Sequence, residues 1–199
     1  MEDGIFDFKS PKLLLVVSGK RKSGKDFVSE RLKHRLGSNV FAILRLSEPL
    51  KSQYAENHGL NLDRLMDCSN YKEFHRADMV HWGEMQRKQD PGCFCRIAIA
   101  NADPSCLIWL VSDTRRMSDM VWLRDHFGDV IETVRVTAME ATRKSRGWKF
   151  TAGIDDAESE CGLDTVVSWD WIIANDSSPV DLDRIIDPLV DHIQSKLKS

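Results

Sequence analysis

The N-terminus of the sequence lacks both the cationic start and the long apolar stretch of a signal peptide. Its longest apolar run, Leu13 to Val17, is about a quarter of a membrane span. The chain also lacks internal repeats and low-complexity linkers. A peroxisome-like tripeptide, Ser195-Lys196-Leu197, is followed by two further residues, so peroxisomal targeting is not expected. We therefore expect a cytoplasmic protein without a membrane partner.

Metal-binding patterns are also missing. The sequence has five cysteines, an odd number, and Cys93 and Cys95 are too close together to form a zinc pair with matching partners elsewhere. Cys68, Cys106 and Cys161 are isolated, and the six histidines show no metal spacing. These patterns predict structural thiols in a reducing intracellular compartment.

The overall charge has little excess of either sign. The formal net charge is −3, with 42% hydrophobic and 30% charged residues, which is typical of a globular protein and argues against disorder. The cations are nevertheless concentrated in three short clusters. These are Lys20, Arg21, Lys22 and Lys25; Arg115 and Arg116; and Arg143, Lys144 and Arg146. Solvated surface charges are one interpretation of any single cluster, but all three together indicate phosphate binding without nucleic acid as a partner.

The order of predicted elements indicates an α/β protein. At 199 residues the chain suits one domain with insertions. Predicted helices over 24–36, 71–88, 117–126 and 182–197 lie between short apolar runs, which favours a parallel sheet covered on both faces. We expect Phe27 to face inward in the first helix, and Asp187-Pro188 to cause a kink or a new helix start in the last one. Phe74 lies near helical spacing with the other apolar residues of the 71–88 helix. The predicted strands are 13–18, 40–46, 107–112, 130–137 and 169–174.

A phosphate-binding motif follows the first predicted strand. The segment Gly19 to Asp26, GKRKSGKD, has the spacing G-x-x-x-x-G-K-[ST], except that Asp26 replaces the usual hydroxyl residue. Backbone amides and the helix N-terminus bind phosphate in this motif, and Lys25 is expected to bridge the β- and γ-phosphates of ATP. A chance match on a surface turn is the alternative, but the flanking strand and helix favour the motif. The predicted nucleotide-binding residues here are Gly19, Lys20, Arg21, Lys22, Ser23, Gly24, Lys25 and Asp26.

Several segments resemble the phosphomevalonate kinases of animals. They are VSGKRKSGKDFVSERL (17–32), LRLSEPLK (44–51), WLVSDTRR (109–116) and RGWKFTAGIDDAESECGLD (146–164), and the resemblance extends over residues 13–197. It implies a kinase that uses ATP to convert 5-phosphomevalonate into 5-diphosphomevalonate in the mevalonate route to isoprenoids and sterols. It also implies a nucleoside-monophosphate-kinase-like P-loop fold, a three-layer αβα domain with a five-stranded parallel sheet in the order 2-3-1-4-5. The expected single domain, 1–199, has a core (12–46, 105–138 and 169–199), an acceptor-binding insertion (47–104) and a lid (139–168).

The acceptor in this reaction is itself a phosphate, so it is largely dianionic at neutral pH and needs no general base. Catalysis must instead offset the repulsion between two polyanions, which is about 4 kcal/mol for each pair of unit charges at 4 Å and an effective dielectric constant of 20. Cations and Mg²⁺ are therefore the expected catalysts. The predicted catalytic residues are Lys25, Arg21, Lys22, Asp26, Arg115, Arg116 and Asp113.

Two carboxylates are candidates for the magnesium site. Asp26 offers a hard oxygen ligand in place of the hydroxyl, although an anion in the first turn of a helix is also favoured for structural reasons. Asp113 lies at the C-terminal end of the third predicted strand, where open parallel sheets bind ligands. The alternative for Asp113 is a cap of the helix that begins near Met117.

Further cations are assigned to the acceptor. Arg76 and Arg87 share one face of the 71–88 helix about 16 Å apart, so both cannot bind one phosphate. One of them is expected to hold the acceptor phosphate and the other its carboxylate. Surface salt bridges are the alternative for each. The predicted acceptor-binding residues are Lys51, Arg76, Arg87, Arg115, Arg116, Arg135 and Asn175.

The lid is expected to close over the nucleotide. Arg143 and Arg146 share a helical face that suits phosphate binding, although an exposed basic turn is the alternative. The acidic run Asp155, Asp156, Glu158 and Glu160 is interpreted as a solvated flank that pairs with nearby arginines. After the last strand, Asn175 and Asp176 are expected near the nucleotide, or else in a turn.

Other function classes are disfavoured. A nucleoside monophosphate kinase shares the loop and the lid, but a flat apolar base pocket does not suit the cation-rich 47–90 region. A GTPase would need an Asn-Lys-x-Asp motif after a late strand, and residues 175–178 do not supply it. A catalytically inactive binding module is disfavoured because Lys25, Asp113 and the lid arginines are all present. A monomer that acts on a small molecule is expected.

Overall fold

A five-stranded parallel sheet lies at the centre of the computed structural model, which describes residues 10–67 and 70–198. The strand order is β2-β3-β1-β4-β5 and every pairing is parallel, which confirms the predicted topology. The predictions for Cys68 and for the first nine residues fall outside the described ranges. The strands are β1 (Leu13–Ser18), β2 (Phe41–Leu44), β3 (Ile108–Val111), β4 (Ile131–Thr137) and β5 (Trp171–Ala174).

Strand β1 is the centre of two hydrophobic cores. Its residues from Leu13 to Ser18 are all buried, as expected for a central strand with helices on both faces. Successive side chains point to opposite faces of the sheet. Leu13, Leu15 and Val17 therefore pack with one set of helices, whereas Leu14 and Val16 pack with the other.

Nine α-helices surround the sheet in the described part of the chain. Helices α1 and α9 cover one face, and α5 and α6 cover the other. The helices are α1 (Lys25–Leu36), α2 (Ser47–His58), α3 (Leu62–Met66), α4 (Asn70–Gln89), α5 (Cys93–Ala100), α6 (Met117–Phe127), α7 (Glu140–Ser145), α8 (Glu158–Cys161) and α9 (Pro179–Lys198), with a 3₁₀ turn at Gly128–Val130. Among the described residues, no helix is both long and apolar enough to span a membrane.

The segment between β2 and β3 has a small core of its own. Tyr54 and Ala55 of α2, Leu65 of α3 and Met79 of α4 are buried together. This cluster places α2 and α4 beyond the carboxyl ends of the strands, on the side where ligands bind in open parallel sheets.

One prediction from the apolar pattern is wrong, because Phe27 is 48% exposed and does not face the core. Phe74, at helical spacing in α4, is 81% exposed. Of the two alternatives at Pro188, a new helix start is excluded, because α9 continues through this residue. Proline removes one backbone donor, but the buried stripe of α9, which includes Ile186, Leu189 and Ile193, packs against the sheet and holds the helix together.

We expect Val16→Ala to lower the free energy of unfolding by about 2–3 kcal/mol, since it removes two methyl groups from a fully buried site and leaves a cavity. Val167→Ala is the matched control, because Val167 is 99% exposed, and it should change stability by about 0.5 kcal/mol or less. Urea denaturation followed by circular dichroism measures both. Equal effects would contradict the two-core arrangement around β1.

Candidate active site

The phosphate loop, residues Gly19–Asp26, turns sharply between β1 and α1. Lys22 and Gly24 have positive φ angles of 61° and 86°. A Cβ atom on Gly24 would lie 2.1 Å from Asn175 Nδ2, and one on Gly19 would lie 2.6 Å from the carbonyl oxygen of Val136. Both positions therefore need glycine, because any side chain would push the loop away from β4 and from the residue after β5.

Three side chains bind the carbonyl groups of this loop. Arg143 Nε donates to the Arg21 carbonyl at 2.8 Å, and Arg146 Nη1 donates to the Ser23 carbonyl at 3.1 Å. Asn175 Nδ2 donates to the same Ser23 carbonyl at 2.9 Å. The guanidinium of Arg143 lies over the Trp148 ring, 4.1 Å from its centroid. The structure thus places both predicted lid arginines at the phosphate loop.

Asn175 and Asp176 connect the segment after β5 to the phosphate loop, to Arg146 and to the start of α7. The Asn175 carbonyl accepts from Arg146 Nη2 at 2.8 Å, and its N–H donates to Thr137 at 2.8 Å. Asp176 Oδ1 accepts from the Met139 N–H at 2.7 Å, at the start of α7. Hydrogen bonds from Thr142 and from Met139 lower the pKa of Asp176. These two residues therefore hold the start of α7 and Arg146 against the end of β5.

The first turn of α1 holds the predicted catalytic lysine. Lys25 Nζ is 2.6 Å from Asp26 Oδ1, and both residues line a large cavity of about 790 Å³. Asp26, Ser112 and Asp113 supply hard oxygen atoms to this cavity. Among the described residues, no group of three or more His, Cys, Asp or Glu could hold a metal. One or two carboxylates nevertheless suit Mg²⁺, which takes its remaining ligands from water and phosphates.

Asp113 binds the start of α2, whereas the sequence suggested the helix that begins near Met117. Its Oδ1 accepts from the Leu46 N–H at 2.7 Å and its Oδ2 accepts from the Ser47 N–H at 3.0 Å. These amides begin α2, so Asp113 is the cap of α2 and not of the helix that starts at Met117. This contact joins the end of β3 to the first helix after β2.

The large cavity extends from the phosphate loop to the α2–α4 region and is rich in cations. Two of these cations, Arg45 and Lys72, are not among the residues predicted from the sequence. Lys72 lies one helical turn before Arg76, on the same face of α4. This spacing could have been used to predict Lys72 as a further residue of the acceptor site. The cationic lining residues are Arg21, Lys25, Arg45, Lys51, Lys72, Arg76, Arg115 and Arg116.

Lys51 is half-buried in this cavity and makes no ion pair within 4 Å in the described part of the chain. Burial lowers its pKa, and the nearby charge of Lys72 lowers it further. Charged groups in such an environment gain from an anionic ligand, which supplies the missing opposite charge.

The two arginines after β3 are both anchored by carboxylates. Arg115 Nη1 donates to Glu160 Oε2 at 2.6 Å, and Arg116 Nε donates to Glu84 Oε1 at 2.7 Å. Both arginines line the large cavity, as expected for groups that bind an acceptor or a transferring phosphate.

Arg76 and Arg87 have different surroundings. Arg76 lines the cavity and pairs with Glu73, with its Nε 2.7 Å from Oε2. Arg87 is buried, donates to Asp119 at 3.2 Å and lies over the Phe94 ring. The structure therefore does not bring Arg87 to the predicted acceptor site, because its side chain points between α4 and α6 toward a buried carboxylate.

Arg135 lies on the other side of the phosphate loop. It donates to Ser18 Oγ at 3.0 Å and to Asp164 at 2.7 Å, and it lines a cavity of about 200 Å³ with Lys20, Ser23 and Arg143. Lys20 pairs with the same Asp164 at 2.5 Å. The Asp164 hydrogen bond raises the pKa of Lys20. The structure thus places Arg135 beside the phosphate loop and away from the large cavity.

The acidic run of the lid is only partly solvated. Asp156 and Glu158 are exposed as expected, whereas Asp155 and Glu160 are each 7% exposed. The two buried carboxylates do pair with arginines, since Asp155 lies 2.8 Å from Arg21 and Glu160 binds Arg115. The prediction of a solvated flank is therefore wrong for these two residues. They are buried because the segment that carries them packs onto the phosphate loop and the loop after β3.

Comparison with known proteins identifies relatives along nearly all of the chain. The chain is 46% identical to phosphomevalonate kinase of Drosophila melanogaster over 186 residues, which cover 91% of this chain and 96% of the relative. Among solved structures, the fold resembles APS kinase of Mycobacterium tuberculosis in complex with AMPPNP and APS (TM-score 0.53, 15% identity, covering 96% of this chain and 99% of that one). It also resembles a gluconokinase from Sinorhizobium meliloti (TM-score 0.51, 11% identity, covering 95% and 97%).

The structural neighbours support a P-loop kinase fold, in agreement with the sheet order and the phosphate loop. The family assignment comes from sequence. The family model described as phosphomevalonate kinase matches residues 17–129, which include the phosphate loop, the α2–α4 region and the two arginines after β3. Together with the Drosophila relative, this match shows that the chain belongs to the phosphomevalonate kinase family.

Proposed function

We propose that the protein transfers the γ-phosphate of ATP to 5-phosphomevalonate, which gives ADP and 5-diphosphomevalonate. The observation that supports this most directly is the continuous cavity of about 790 Å³ between the phosphate loop and the cation-lined α2–α4 region. One end suits a triphosphate, and the other suits a small acid that carries several negative charges. Family membership supports the same reaction.

In this proposal an oxygen of the acceptor phosphate forms a bond to the γ-phosphorus, and the bond from that phosphorus to the β–γ bridging oxygen breaks. Lys25 and Arg21 face the cavity at the loop and stabilise the charge that moves toward the leaving oxygen. Arg115 and Arg116 approach from the end of β3 and hold the transferring or accepting phosphate. No proton has to be removed, because the acceptor phosphate is largely dianionic at neutral pH.

Magnesium would be held by Asp26, with Asp113 binding a coordinated water through lone pairs that its cap contacts leave free. When bound, Mg²⁺ neutralises charge on the β- and γ-phosphates. The exposed carboxylate of Asp26 supports this assignment, since it faces the same cavity as Lys25.

We also propose the division of the chain into a core, an acceptor-binding region (47–104) and a lid (139–168). The separate hydrophobic cluster under α2, α3 and α4 supports the second, and the contacts of Arg143 and Arg146 with the loop support the third. The proposed acceptor-binding cations are Arg45, Lys51, Lys72 and Arg76, since all four line the cavity.

A nucleoside monophosphate is the rival acceptor. The described residues that line the cavity include no Phe, Tyr or Trp on which a base could stack. Leu50, Met79 and Val80 form an apolar part of the wall that suits the methyl and methylene groups of a branched acid. These features favour phosphomevalonate.

Calorimetric titration with 5-phosphomevalonate, AMP and CMP tests the choice of acceptor. We expect heat of binding with 5-phosphomevalonate alone, because only this ligand matches a cation-lined cavity without a stacking surface. Formation of ADP should depend on the same compound. Binding and turnover of AMP or CMP instead would contradict the proposal.

Lys25→Met should lower kcat by at least about 100-fold, since it removes a cation that stabilises the charge of the leaving phosphate. Thermal stability should stay close to that of the wild type. Lys149→Met is the matched control, because Lys149 is an exposed lid lysine outside both cavities, and it should retain normal kcat. Near-normal turnover by Lys25→Met would refute its role.

The lowered pKa of Lys51 predicts a pH dependence. Below its pKa the ammonium attracts the acceptor, and as pH rises through this value the charge and its contribution to binding are lost. KM for the acceptor should therefore rise at a pH below 10.5, the ordinary lysine pKa. Lys51→Arg should move this rise to higher pH, because a guanidinium stays charged. Identical pH profiles of KM in the two proteins would contradict the assignment.

A further inference from the structure

The two buried carboxylates of the lid are an arrangement that the proposed reaction does not itself require. The side chains of Asp155 and Glu160 are 3% and 2% exposed, although both are charged groups in a segment with exposed acidic neighbours. Burying a carboxylate is costly unless hydrogen bonds and opposite charges compensate. Their burial therefore requires specific partners, and those partners belong to the phosphate loop and to the loop after β3.

Glu160 connects these two loops. Its Oε1 accepts from the backbone N–H of Arg21, and its Oε2 accepts from Arg115 Nη1 at 2.6 Å. Arg21 follows β1 and Arg115 follows β3, so a single carboxylate fixes the separation between groups carried by two neighbouring strands. Both arginine side chains line the large cavity.

The contact with Arg115 uses only one part of the guanidinium. Arg115 Nη1 donates both to Glu160 and, at 3.4 Å, to the Ser159 carbonyl. In the described part of the chain, Nε and Nη2 of Arg115 make no hydrogen bond within the usual limits. These two groups form the planar edge with which arginine binds two oxygens of a phosphate at once. Glu160 therefore occupies one end of the guanidinium and leaves this edge available to a phosphate.

Asp155 does the same for the side chain of Arg21. One of its oxygens lies 2.8 Å from Arg21 Nη1. Asp155 is itself oriented by the Trp148 Nε1–H and by the Thr151 N–H, each at 2.8 Å. Burial opposes the charged form, but these hydrogen bonds and the charge of Arg21 bring the pKa of Asp155 below its ordinary value. It therefore remains an acceptor for Arg21 at neutral pH.

We infer that Glu160 is a positioning residue, which holds Arg115 in the orientation that presents its Nε–Nη2 edge to a phosphate, with Asp155 acting in the same way on Arg21. This inference rests on the proposed function for the identity of the phosphate. A flexible arginine loses conformational entropy when it is fixed on a ligand. An arginine that a buried carboxylate has already fixed loses less, and the geometry of the transferring group is better defined.

Glu160→Gln tests the inference, since glutamine has the same shape but loses the charge and one acceptor. We expect kcat/KM to fall about 100-fold, the scale expected for a misplaced catalytic group. Glu158→Gln is the matched control on the same short helix, because Glu158 is exposed and makes no ion pair among the described residues. It should retain normal activity, and both variants should unfold at similar temperatures.

A double-mutant cycle separates positioning from a general effect on lid folding. In an Arg115→Lys background the planar edge is already absent and only the contact with the Arg21 N–H remains to be lost, so adding Glu160→Gln should lower kcat/KM much less than in the wild-type background. A similar loss in both backgrounds would overturn the inference, as would normal activity of Glu160→Gln in the wild-type background.

The failure of this inference can be distinguished from failure of the proposed function. Wild-type turnover of 5-phosphomevalonate tests the function alone. If it is absent, calorimetric titration with Mg-ATP still tests Glu160, because Arg115 and Arg21 line the cavity at the phosphate loop, where the terminal phosphate of ATP would meet them. Glu160→Gln should then weaken Mg-ATP binding relative to Glu158→Gln. Equal affinities of these two variants would overturn the inference.

Discussion

The close backbone packing of the phosphate loop is the constraint on which the active site depends. Gly19 lies against the Val136 carbonyl and Gly24 lies against the Asn175 amide, with no room for a Cβ atom at either position. These two contacts join the ends of β1, β4 and β5 at one point. The carbonyl groups of the loop are then within reach of Arg143 and Arg146, and Lys25 begins α1 at the edge of the cavity.

A second constraint is the balance of charge around that loop. Cations that are suited to phosphates would repel one another if they were left alone in a partly buried site. Carboxylates from α8, from the segment after it and from α4 reduce this repulsion, since Glu160 binds Arg115, Asp164 binds Lys20 and Glu84 binds Arg116. Lys51 is different because it has no such ion pair among the described residues and burial lowers its pKa. The cavity therefore combines cations that carboxylates hold in place with a half-buried ammonium, Lys51, that no carboxylate within 4 Å balances in the described ranges.

Local sequence patterns were sufficient to predict the strands and the phosphate loop. Continuous apolar residues predict a strand that is buried on both faces, and β1 is such a strand. The glycine and lysine spacing predicts the turn that follows it, because this spacing reflects the backbone geometry of a short segment. The same approach failed for Phe27, which is 48% exposed. Helical spacing places an apolar residue on one face of a helix, but it does not show whether another element packs against that part of the face.

The amino-acid sequence by itself determined the order of the strands through its resemblance to a kinase family, and it determined the phosphate loop through residues that are adjacent in the chain. Only the tertiary structure decided which carboxylate each cation meets. Arg87 pairs with Asp119 across 32 residues, Asp113 caps the helix that begins after Leu46, and Glu160 reaches an amide 139 residues earlier. The physical reason is that ion pairs and caps depend on distances in space. The packing of α4 and of the segment around α8 sets these distances, and no local spacing encodes them.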